Sequence, residues 1–69
     1  MTNERAAKYF VDVVGCVVDG KPRIRAELWF RPYTGWMVAC TRWVATPGVA
    51  RRDARRYLNV PKGARWLEK

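Results

Sequence analysis

The 69-residue chain contains no histidine, no serine and no glutamine. Serine triads, imidazole general bases and histidine metal ligands are therefore outside its chemistry. Its two cysteines, Cys16 and Cys40, cannot supply the four ligands of a structural zinc site from one chain. Both lie in apolar, strand-like runs, where a reduced thiol serves as a small buried hydrophobe; a disulfide between them would need adjacent strands and an oxidising compartment. No run reaches the length of a membrane span, and the leading "MTNERAAK" lacks the apolar segment of an export signal, which predicts a cytoplasmic protein with no membrane attachment. Six carboxylates and two thiols leave no nucleophile–base pairing that spacing could support. "DGKPR" puts a lysine just after a glycine but has no glycine-rich loop to cradle phosphates. The expectation is a non-enzymatic protein with neither cofactor nor metal.

What the chain does carry is positive charge: 14 Lys and Arg against 6 Asp and Glu, a net +8 with a pI near 10.4. Such an excess favours polyanions, either nucleic acid or an acidic protein or nucleoprotein surface. Ten of the fourteen cations are arginine. The planar guanidinium fork matches phosphate and guanine edges and stacks on bases, whereas lysine is a hydrated point charge. The competing reading is that arginine merely reflects a GC-rich genome. With 49% hydrophobic and 29% charged residues the composition is globular, and the length allows one small domain over residues 1–69.

Along the chain the pattern predicts an α+β fold: a three-stranded antiparallel β-meander followed by one C-terminal α-helix packed on the sheet. The first strand covers about residues 8–18, "KYFVDVVGCVV", and ends at Asp19-Gly20, a strong two-residue hairpin signal. The second, about 23–31, alternates: Ile24, Ala26, Leu28 and Phe30 face one way, and Arg23, Arg25, Glu27, Trp29 and Arg31 the other. "PYTG" makes a turn into a third strand at about 36–45. In the preferred register, pairing Leu28 with Ala39 sends Met37, Ala39 and Trp43 to the core, and sets Trp36, Val38 and Arg42 outward with Arg42 beside Arg25 and Trp29; a loop one residue longer or shorter reverses these faces. On the first strand, outward Asp12 puts Tyr9, Val11, Val13 and Val17 inside. Phe10, Val14, Cys16 and Val18 then share an outer face too apolar to be fully solvated, so a terminus or a second chain is expected to cover part of it; Phe10, Val14, Cys16 and Trp29 make an apolar patch that suits a homodimer or a protein partner.

The helix is expected over about 47–58, with Thr46 as N-cap and Pro47 in the first turn. Ala50, Ala54, Tyr57 and Leu58 form a narrow apolar stripe. Arg51 and Arg55 make one column on the other side and Arg52 and Arg56 the next, with Asp53 relieving part of their repulsion. The tail, 59–69, adds Lys62, Arg65 and Lys69, with Trp66 and Leu67 available to dock. Charge runs are ordinarily solvated faces, but those mix both signs, and this one is nearly all positive. Trp29 shares its face with Arg23, Arg25 and Arg31, offering a stacking surface for bases or for neighbouring guanidinium groups.

Three antiparallel strands followed by a helix is similar in layout to the AP2-type plant DNA-binding domain and to the amino-terminal arm-binding domain of some phage integrases. That resemblance implies a sheet entering the major groove with the helix behind it; the basic helix here departs from that pattern. The reading is a small nucleic-acid-binding protein, for DNA or RNA, that contacts phosphates through Arg51, Arg52, Arg55 and Arg56. Arg25, Arg31, Arg42 and Trp29 form a second surface on the sheet, and Lys62 and Arg65 add charge from the tail. The alternative is a small phage or mobile-element inhibitor, similar to anti-CRISPR proteins, that binds an acidic surface or the nucleic-acid groove of a host nucleoprotein complex. A third class is a structural subunit of a particle.

Overall fold

In a computed structural model, residues 6–67 are described; Lys69 and most of the leading polar segment lie outside them. The chain is α+β, with strands β1 (Tyr9–Val18), β2 (Lys21–Phe30) and β3 (Trp36–Cys40), helix α1 (Pro47–Tyr57) and a short strand β4 (Arg65–Trp66). The sheet order is β3-β2-β1-β4. The meander is antiparallel as expected, but β4 pairs parallel to β1, which makes the sheet mixed and four-stranded. A two-residue strand is too short for any alternation to reveal it. It forms because Phe10 and Val11 come level with Arg65 and Trp66, and Leu67 N–H donates to the Val11 carbonyl at 2.8 Å.

Asp19 and Gly20 both take positive φ, at 51° and 76°, the backbone of a two-residue hairpin whose twist matches its strands. Val18 faces Lys21 across it. Pro22 lies one residue inside β2. Ile24 N–H donates to Val44 O on the β3 side, and residue 22 points to that same edge, beyond the reach of β3, so the missing donor costs the ladder nothing.

Leu28 does pair with Ala39, yet a bulge at Val38 shifts the register beyond it: Trp29 pairs with Met37 and Phe30 with Trp36. Met37 therefore moves to the outer face and Trp36 to the side of Phe30, reversing the expected assignment. The Phe30 and Trp36 rings meet edge to face at 5.3 Å between centroids. Strand β3 also stops at Cys40 rather than 45. There Thr41 Oγ1 accepts from Ala26 N–H and Thr41 N–H donates to Ala26 O, and the ladder resumes only at the isolated Ile24–Val44 bridge. Arg42 and Trp43 bow out opposite Arg25, which removes Trp43 from the core.

Thr46 caps α1 with its hydroxyl accepting from Val49 N–H, and Pro47 sits in the first turn as expected. The helix ends where Leu58 N–H reaches Ala54 O and Asn59 adopts φ 50°, a left-handed exit that asparagine tolerates. Ala50 and Ala54 are fully buried, and their small side chains let α1 lie close against β2. With Val11, Ala26, Leu28, Val44 and Leu58 they form the core, flanked by Tyr9, Val13, Ile24, Val60 and Trp66. Besides Met37 and Trp43, two more expected core residues are outside it. Tyr57 is 64% exposed at the last turn, and Val17 is exposed because the hairpin end extends past the helix. Cys16, at the same end of the hairpin, is an exposed thiol rather than a buried one. No helix among the described residues is long and apolar enough to cross a membrane, and no cluster of three metal-ligating side chains occurs among them.

Candidate nucleic-acid interface

Helix geometry decides where the four helix arginines go. Ala50, Asp53, Ala54 and Leu58 face the sheet, which leaves Arg51 and Arg55 on one flank and Arg52 and Arg56 on the outward side. Arg52, Arg55 and Arg56 are exposed; Arg51 is half-buried and closes a shallow cleft of about 220 Å³ walled by Val13, Ile24, Pro47 and Leu67. The Arg55 guanidinium lies over the Trp66 ring at 4.8 Å, which anchors β4 to the helix flank. Arg55 and Arg56 also sit in the last turn, where cations complement the helix dipole. Among the described residues two arginine–carboxylate pairs form, Arg25–Glu27 and Arg42–Asp53, and neither uses a helix arginine. Among the described residues no carboxylate offsets the charge of the helix column.

The sheet face away from α1 is built differently. Glu27, only 8% exposed, accepts from Arg25 Nε and Nη2 at 2.9 and 2.8 Å on Oε2, and from Trp29 Nε1 at 3.1 Å on Oε1. The hydrogen bond to Glu27 raises the Arg25 pKa above its usual value, against the lowering effect of burial. Arg25 also stacks on Trp43 at 4.5 Å, in the position expected for Arg42. Arg31 lies over both Trp29, at 5.1 Å, and Phe10, at 5.6 Å. What covers the apolar outer residues is thus partly the protein's own arginines, through their aliphatic stems and planar heads. Asp12, level with Glu27, has a buried Oδ1 with no hydrogen-bond partner.

The site residues expected from sequence accordingly fall into separate groups. Arg51, Arg52, Arg55 and Arg56 stay together on α1. Arg25, Arg31 and Trp29 stay together on the sheet. Arg42 joins neither: its Nε reaches Asp53 Oδ2 at 3.4 Å across the opposite flank of the helix, while the side chain remains 76% exposed. Asp53, expected to screen the arginine columns, instead belongs to the buried stripe at 3% exposure. Its spacing to Ala50 and Ala54 was the available signal, outweighed by its four cationic neighbours in sequence. Arg65 is level with Phe10 and so projects from the outer sheet face, and Lys62 is exposed in the turn before β4. Sequence reasoning missed Glu27 as the hub of the outer face and Trp43 as part of it; an acidic residue two positions from both Arg25 and Trp29 on one strand face was the clue.

A comparison of the chain with protein families, with curated proteins and with solved structures found no match in any of the three.

Proposed function

We propose that the protein binds nucleic acid without catalysing a reaction, meeting phosphates chiefly through Arg51, Arg52, Arg55 and Arg56. The single observation that carries this is the contrast in charge pairing: the two arginines with carboxylate partners are Arg25 and Arg42, while the helix column has none among the described residues. Four like charges at i, i+4 spacing destabilise a helix by a few tenths of a kcal/mol per pair, a cost that contact with an external anion offsets. Phosphate contacts position a protein without reading sequence, so specificity is modest. Neutralising about four to six phosphates gives a log–log salt slope of roughly −4 to −5 on duplex DNA.

The test is a gel-shift series against duplex DNA, single-stranded DNA and structured RNA at two salt concentrations, with the R52E/R56E variant alongside. Both positions are exposed, so circular dichroism should be unchanged while binding weakens for every sequence. Salt-insensitive binding, or full affinity in the variant, would move the site off the helix.

A second reading, an inhibitor that docks on an acidic protein or nucleoprotein surface in the manner of anti-CRISPR proteins, has one observation in its favour. Residues 32–41 carry no charge and expose Tyr33, Trp36, Met37 and Val38. Apolar surface of this kind suits a protein partner more than phosphates. Partner capture that survives nuclease digestion would select this reading over the first.

A further inference from the structure

We propose that the outer sheet face is a stacking platform for unpaired bases, which makes single-stranded nucleic acid the ligand of this surface. The inference rests on the nucleic-acid reading above and adds a ligand class and a second set of contacts to it.

The geometry of Trp29 carries the argument. Its indole N–H is bound to Glu27, two residues back along the same face of β2. Adjacent same-face side chains on a strand start about 7 Å apart, so a 3.1 Å bond between them means that Glu27 and Trp29 lean toward each other along the strand. The only polar group of the ring is thereby used, and its π surface is what remains for a ligand. Phe10 pairs with Trp29 across β1 and β2, placing a second ring beside the first. The chain Trp43–Arg25–Glu27–Trp29 sets the orientation before any ligand arrives, which removes part of the ordering cost of binding.

Helix α1 packs on the opposite side of the sheet, and among the described residues the group seen over both rings is Arg31, whose side chain is exposed. A base displacing the Arg31 guanidinium from Trp29 leaves that cation free to meet the adjacent phosphate. Arg65, level with Phe10 on β4, supplies a second cation at the platform edge. Duplex bases present only their edges, since their faces are occupied by the next pair. With the indole N–H committed to Glu27 and phenylalanine lacking any donor, these two rings have nothing with which to read an edge. Stacking on unpaired bases is the interaction left to them.

The experiment uses fluorescence anisotropy with a labelled oligo-dT strand and a duplex of the same length, for the full chain and three variants. Trp29→Ala should weaken the single strand about tenfold or more and the duplex less than twofold. Trp29→Phe, which keeps a ring, should stay within about threefold of the parent on both. R52E/R56E should weaken both ligands. If Trp29→Ala weakens both equally or neither, the platform is overturned while the helix reading stands; if the parent chain binds neither ligand at low salt, both fail. Should Trp29→Ala not fold, ultraviolet crosslinking of the unmodified chain to oligo-dT decides the matter: adducts at Phe10 or Trp29 support the platform, and adducts confined to residues 47–57 overturn it.

Discussion

The arginines of helix α1 and those of the outer sheet face are the same side chain used in two ways. On the helix, Arg52 and Arg56 project from the surface with no carboxylate partner among the described residues. On the sheet, Arg25 and Arg31 are built into a lattice of Glu27, Trp29, Trp43 and Phe10. A count of cations therefore overstates the charge available to a partner. A guanidinium on a carboxylate contributes to structure and little to the external field; one on an aromatic ring keeps its charge but fixes its place. The helix is the electrostatic surface and the sheet the shaped one.

That contrast is tested most severely at Glu27. Glu27→Ala should destabilise the protein by about 2–4 kcal/mol, because it strands the half-buried Arg25 charge and the Trp29 N–H together. In a chain of this size that is a fall in Tm of the order of 10–20 °C, measured by thermal denaturation. A loss below about 1 kcal/mol would mean that the sheet arginines are as independent as those on the helix. R52E/R56E comes next. Removing two phosphate contacts at ~0.1 M salt should cost roughly fifty- to hundredfold in affinity and flatten the salt slope by about 2, with stability within about 0.5 kcal/mol of the parent. A third test probes the boundary between the two regions: Arg55→Ala deletes the cation over Trp66 and should cost about 0.5–1 kcal/mol in urea unfolding, unlike Arg52→Ala, which should be neutral. The smallest effect is expected at Asp12. Asp12→Asn removes a carboxylate level with Glu27 and should stabilise by about 0.5 kcal/mol, most visibly at low ionic strength.

The local features were legible because they are settled by residues close in sequence. Asp19-Gly20 supplies two consecutive residues that accept positive φ, and Thr46-Pro47 supplies a hydroxyl acceptor and a preset φ for the first helical turn. The alternation of β2 and the Leu28–Ala39 pairing follow from side chains pointing to opposite faces at every step. The bulge at Val38 was not legible: one extra residue changes which of Trp36 and Met37 faces the core, and nothing in a Trp-Met-Val run signals it. The Thr41 hydroxyl standing in for a ladder partner of Ala26, and the parallel pairing of Arg65 and Trp66 with β1, depend likewise on segments many residues away.

The candidate site divides along the same line. That this chain would be strongly cationic, would lack histidine and serine chemistry, and would line up Arg51, Arg52, Arg55 and Arg56 on a helix away from an alanine stripe followed from composition and a period of 3.6 residues. Which arginines meet a carboxylate was a tertiary matter. Arg25 meets Glu27 because both share one strand face, whereas Arg42 meets Asp53 because β3 ends at Cys40 and the chain then brings Arg42 to the helix flank opposite Arg51 and Arg55. Backbone preferences act over a few bonds, but ion pairing acts through space, and only the folded chain brings those partners within reach.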